Sequence, residues 1–168
     1  MSTTLNLSEF VAASQSVPER SATTVLFHLI EELGEVSVCI NRPHKADESL
    51  AGELADVINC TLDIGMRQFG ELVEMPDHTY VLHILSSGKT SRGMFLSMTA
   101  LVGALAYIYE EGSLLKRLSK ESLQVILYGI LAESLAIYVM AYGDDYSELQ
   151  TQINKKCAKW RKVAGEKL

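Results

Sequence analysis

Apolar residues recur every third or fourth position along most of the chain, the period of helices that bury one face. The pattern predicts a helix over 21 to 40 and a second over 48 to 69 that stops near Gly70. Helical periodicity resumes in "MFLSMTALVGALAYIYEEG", breaks at Gly112 and returns over 121 to 142, and a polar helix covers 145 to 162. Pro18 and Pro43 mark breaks, the first ahead of the 21 to 40 helix and the second inside the loop "NRPHKADES". The piece "ELVEMPDHTYVLHILSSGKTSRG" mixes polarities around Pro76, Gly88 and Gly93 and reads as a connector with a short helix or extended piece. No turn dipeptide separates alternating runs, so the expected fold is an all-α helical bundle forming one domain over 1 to 168.

The halves of the chain resemble each other. Residues 48 to 70, "ESLAGELADVINCTLDIGMRQFG", align without a gap to 121 to 143, "ESLQVILYGILAESLAIYVMAYG". The preceding helices follow with a one-residue shift, Ile30 falling on Val102 and Leu33 on Leu105. This predicts a helix pair over 21 to 70 and a degenerate second pair over 95 to 143. The acids are what the second copy lacks: Glu32 falls on Ala104, Glu35 on Tyr107, Glu53 on Ile126 and Asp56 on Gly129. The first pair is therefore expected to carry the chemistry and the second to supply packing.

Composition narrows the class. A chain of 168 residues, 48% hydrophobic and 21% charged, is long enough for one domain with a substantial core. A net charge of -6 argues against a general nucleic-acid binder, which needs clustered Lys and Arg. Cys39, Cys60 and Cys157 form no CxxC pair, and the start "MSTTLNLSEFVAAS" lacks the form of a signal peptide, so a cytoplasmic protein is expected. Residues 123 to 143 approach the length of a membrane span, but Glu133 sits at their centre, and a buried bundle helix is the expectation. Helices at 98 to 108 and 123 to 143 are apolar almost all round, which predicts a homodimer.

The acids themselves have a geometry. Glu32 and Glu35 are three apart on one helix, and Glu53 and Asp56 repeat that spacing on the next, so each pair shares a helical face. The short loop between makes the two helices antiparallel neighbours and lets the four groups converge. Unit charges about 4 Å apart repel by roughly 1 kcal/mol in water and by about 4 kcal/mol at an effective dielectric near 20. A divalent cation removes that cost, and hard oxygen donors without His or Cys suit Mg²⁺, with Mn²⁺ as the alternative. Glu53 and Asp56 are set among Leu50, Leu54, Val57 and Ile58, so at least one of them is expected against the buried stripe.

These motifs, "EELGE" over Glu31 to Glu35 and "ELAD" over Glu53 to Asp56, resemble the E-E-x-x-E and E-x-x-D signature of the MazG-type all-α nucleoside triphosphate pyrophosphatases. The resemblance covers roughly residues 24 to 70. It extends to the relatives of that superfamily, the dimeric dUTPases and phosphoribosyl-ATP pyrophosphatase. It implies a Mg²⁺-dependent cleavage of a nucleoside triphosphate to monophosphate and pyrophosphate. It makes Glu32, Glu35, Glu53 and Asp56 metal ligands, with Glu31 holding a second metal or orienting the attacking water.

Outer phosphates need positive charge, and "INKKCAKWRK" supplies it near the C-terminus, with Lys156, Lys159 and Arg161 as candidate substrate contacts. Arg42, His44 and Lys45 in the loop between the acidic helices are a second candidate set. Asn59, one turn beyond Asp56, is placed to bond a sugar or base. Trp160 is better read as an anchor of its helix than as a base-stacking group. Two other classes compete: a non-catalytic metal- and nucleotide-binding module, and a di-iron bundle. The latter wants Glu-x-x-His pairs, which neither Glu35 nor Glu53 begins.

Overall fold

A computed structural model describes residues 4–17 and 20–165. Among these the chain forms eight α-helices and no strand: α1 (Ser8–Ser16), α2 (Ala22–Asn41), α3 (Leu50–Phe69), α4 (His78–Ser86), α5 (Ser91–Glu110), α6 (Gly112–Leu115), α7 (Lys120–Tyr142) and α8 (Ser147–Gly165). The all-α class expected from periodicity is observed. The break expected at Pro18 lies outside the described residues. Pro43 opens a single 3-10 turn, Pro43–Lys45, inside the α2 to α3 connection.

Five helices start in the same way, with an oxygen side chain accepting from a backbone N–H three residues on. Ser21 caps α2, Ser49 caps α3, Asp77 caps α4, Thr90 caps α5 and Ser119 caps α7. The Asp77 cap makes an ordered helix of the segment read as a connector. Helix α1 was not anticipated. It is nine residues long, too short for periodicity to declare, and is held by burying Phe10 and Ala13.

Helices α3 and α7 pack on each other at the centre, with α2 beside α3 and α5 beside α7. Helix α8 lies on α3, α4 covers α7, and α1 rests on α8 and α3. The two helix pairs recognised in the sequence thus meet through α3 and α7. A Cβ on Gly129 would lie 2.9 Å from Leu101 Cδ1, so α5 and α7 approach where that glycine permits. Gly129 is also the position aligned with Asp56, and in the second pair Leu101 packs at that place.

The N-terminal segment is tied to α8. The side-chain amide of Gln150 donates to the Asn6 carbonyl at 2.9 Å and its oxygen accepts from the Asn6 N–H at 2.6 Å. Trp160 meets Phe10 edge to face at 6.2 Å and lies under the Arg20 guanidinium at 4.9 Å. It is an anchor of α8, as its amphipathic setting suggested.

The two helices long and apolar enough to cross a membrane differ in burial. In α7, 56% of the apolar window is inside the protein, against 28% in α5. More than half of the apolar window of 123 to 143 is therefore covered by the bundle itself, with Val125, Met140 and Tyr142 left exposed, whereas most of the window on α5 is uncovered.

Candidate metal centre

Helix α2 turns Leu26, Leu29, Leu33 and Val36 into the core. Glu32 lies three residues from Leu29 and four from Val36, so it stands at the edge of that buried stripe. Glu31 points the other way: its carboxylate is 70% exposed and accepts from His28 Nδ1 at 3.1 Å. Glu35, one turn on from Glu32, is exposed at the helix surface. From α3, Glu53 is 2% exposed, the buried member that the apolar setting of "LAGELADVIN" predicted.

Oxygens of Glu32, Glu35 and Glu53 lie within 4.8 Å of one another. Asp56 is not the fourth member of that group. Its carboxylate is taken by Lys156 of α8, whose Nζ also donates to Glu48 at 2.7 Å. Asp56 still faces Glu32, and its charge is felt there.

Burial and crowding act together on the protonation of the cluster. Burial first, then the charges of Asp56 and Glu35, push the Glu32 carboxyl up to about 7. Burial, then the charge and hydrogen bond of Glu35, push Glu53 up to about 8. Burial also raises Asp56, outweighing the hydrogen bond from Lys156. Burial alone would lower the Lys156 ammonium, but hydrogen bonds to Asp56 and Glu48 overcome it and raise it. The same lysine holds Glu48 below the ordinary carboxylate value.

These donors fit a small hard cation. Three carboxylates converge from two helices, one of them buried, and burial with crowding keeps protons on Glu32 and Glu53 that a divalent ion would replace. Beside the cluster a recess of about 120 Å³ is lined by Glu35, Val38, Lys45, Ala46, Asp47 and Glu53. Lys45 is thus the member of the loop set brought to the centre. A larger groove of about 550 Å³ runs between residues 71 to 74 and α7, but its Glu71 is already paired with Lys120 at 2.6 Å and it gathers no converging donors.

Asn59 is fully buried, and neither atom of its amide has a hydrogen-bond partner in the protein. Of the basic candidates, Lys156 sits at the centre, with 8% exposure. Lys159 is close enough to bear on Glu48 and Asp56, and Arg161 is turned away onto Glu9 of α1.

Two participants escaped the sequence reading. Glu48, Gly52 and Asp56 are four apart and share a face, and a Cβ on Gly52 would meet the Glu48 carboxylate at 2.9 Å, so glycine there leaves room for Glu48 to fold back to Lys156. Farther along α3, Asp63 is fully buried and accepts from Ser14 Oγ at 3.0 Å, Arg20 Nε at 3.2 Å and Arg67 Nε at 3.1 Å. The signal for it was a polar string, Glu53, Asp56, Asn59, Asp63 and Arg67, recurring at helical spacing through an apolar helix.

Fold and centre together define an all-α bundle with a carboxylate cluster between two of its helices. No family model matches the chain, and neither a curated protein nor a solved structure matches it.

Proposed function

We propose that the chain is a Mg²⁺-dependent pyrophosphohydrolase of (deoxy)nucleoside triphosphates, of the MazG-like kind its two acidic motifs resemble. The observation that carries this reading is the convergence of Glu32, Glu35 and Glu53 within 4.8 Å, with the buried Lys156 ammonium beside them on Asp56. Glu32, Glu35 and Glu53 would hold the ion, joined by Asp56 once Lys156 lets go of it. Bound there, Mg²⁺ would supply neutralising charge for phosphate oxygens and activation of water.

The chain's own residues do the rest. Lys156, freed from Asp56 and Glu48, is the cation for the outer phosphates, and Lys159 and Lys45 border the same space. Water attacks the α-phosphorus, the bond to the bridging oxygen breaks, and pyrophosphate leaves with the electron pair. The proton lost by the water passes to a carboxylate at the edge of the cluster; Glu31, which points away from it onto His28, would reach that water only by turning inward. Asn59, with one donor group and one acceptor oxygen unmatched, is suited to read a base or sugar edge that presents the reverse pair.

A second reading, a non-catalytic metal- and nucleotide-binding module, is favoured by the Lys156 contact, which neutralises Asp56 without any ion. Incubation with a panel of common and non-canonical nucleoside triphosphates and Mg²⁺, beside Glu53→Gln, separates the two. Monophosphate and pyrophosphate from the wild type alone support hydrolysis. Metal-dependent thermal stabilisation with no turnover of any nucleotide moves the protein to the binding class.

A further inference from the structure

Helix α5 packs on α7 and α2 and leaves its third side bare. That side carries Leu96, Thr99, Ala100, Gly103, Ala104 and Tyr107, with Leu96 66% and Tyr107 59% exposed. Between Arg92 and Glu110 the helix has no charged residue. The neighbouring α2 adds an exposed Phe27, at 65%, and Ile30. Apolar surface of this kind, on a helix whose apolar window is only 28% buried, marks an interaction site rather than a solvated face.

Gly103 lies on the same bare side. A glycine in mid-helix carries no side chain, so another backbone can approach closely there. Among the described residues a Cβ at Gly103 would meet no atom within 4 Å, which leaves room for such an approach from outside.

The order of residues identifies what would approach. The bare side reads with a spacing of four and three through Leu96, Ala100, Gly103 and Tyr107, the seam of two packed helices. A two-fold axis at the height of the bond between Leu101 and Val102 sets a second α5 antiparallel to the first. Leu96 then faces Tyr107, Ala100 faces Gly103, and Arg92 faces Glu111, with Glu110 one residue away. The exposed Arg92 and the exposed Glu110 and Glu111 lie at opposite ends of the helix, so the face is complementary in charge to its own reversed copy. A membrane would have no use for that pairing of ends.

We propose that a second copy of this chain packs antiparallel along α5, with Ala100 and Gly103 at the closest approach and Arg92 pairing with Glu110 and Glu111 across the interface. The carboxylate centre is not needed for this, and the two readings stand or fall separately.

Mass by light scattering and sedimentation velocity, over a micromolar dilution series, is the test. The expected mass is twice the 18.5 kDa of the chain. Gly103→Arg has room in the single chain, so it should keep the helical circular dichroism signal while running as a monomer. Arg92→Glu alone, and Glu110→Arg with Glu111→Arg, should each raise the dissociation constant roughly tenfold or more, and combining all three should restore it. A monomeric wild type at every concentration overturns the proposal, as does a dimer indifferent to Gly103→Arg. A charge-reversed triple variant no tighter than its parents overturns the antiparallel register. Flotation of the wild type with phosphatidylcholine and phosphatidylglycerol vesicles as a monomer would assign the face to a lipid surface instead.

Discussion

Withdrawing divalent cations and raising the pH sets Glu32, Glu35 and Glu53 against one another. In the folded chain Glu32 titrates at about 7 and Glu53 at about 8, whereas unfolding returns both to the ordinary 4.5. Between those limits the folded state keeps protons that the unfolded state has released, so stability falls as pH rises. The contribution is harmless below pH 4.5 and reaches its full destabilising size once the pH has passed the folded values. A tenfold change in proton affinity corresponds to about 1.4 kcal/mol. Buried Glu53 carries most of the effect, and solvent screening on the Glu35 side reduces the remainder, which leaves about 3 kcal/mol at stake. For a chain of this size that is a fall of roughly 10 °C in Tm. Mg²⁺ at about 100 times its Kd would return about 2.7 kcal/mol. The assay is thermal unfolding by circular dichroism from about pH 5 to about pH 9, with chelator or with Mg²⁺, for the wild type and Glu53→Gln. The amide introduced by Glu53→Gln is neutral throughout, so the variant is expected to lose the larger part of the pH dependence, keeping the share of Glu32, and to lose most of its response to Mg²⁺. A flat wild-type profile in chelator, or equal stabilisation of both proteins by Mg²⁺, would refute the reasoning.

Three further outcomes follow from particular contacts. Lys156→Met strands Asp56 in a largely buried position and should cost about 3 kcal/mol at neutral pH in urea titrations, much of it recovered by adding Asp56→Asn. Asp63→Ala leaves Arg20 and Arg67 facing each other without their shared carboxylate; a loss of about 3 to 5 kcal/mol is expected, with faster hydrogen exchange in α1, and an unchanged α1 would contradict the anchoring role. Asn59→Leu replaces an unpartnered buried amide with an apolar group and should raise stability by about 1 kcal/mol while weakening nucleotide binding in calorimetry; equal binding would remove Asn59 from the substrate contacts.

Helices α2, α3, α5 and α7 were legible because each repeats its apolar residues over many turns and begins at a Ser or Thr cap. Helix α1 was not, since nine residues offer too few repeats and its stability comes from contacts with α8 and α3. In the centre, spacing alone paired Glu32 with Glu35 and Glu53 with Asp56. Separating Glu31 from Glu32 needed the core face: Leu29 and Val36 bracket Glu32, whereas Glu31 lies with Phe27 and Gly34 on the outer side. The partner of Asp56 was beyond local reading, because Lys156 is 100 residues away and nothing in either motif names the other. Asp63 was visible as polarity without a purpose until the fold brought Ser14, Arg20 and Arg67 to it.

The position of Lys156 also governs the order in which the molecule can assemble. Helices α2 and α3 are neighbours in sequence and close over a short connection, whereas α8 reaches Asp56 across 100 residues and Asn6 across 144. Contacts of such long separation carry the larger loop-closure entropy and belong to the slow part of folding. On this argument the acidic helix pair is expected to form while its resident ammonium is still on an undocked, polar helix, so that its carboxylates meet without that counter-ion. If the proposed cation binds this cluster, it would fill that interval and would bear on how fast the chain folds as well as on how firmly the finished bundle holds.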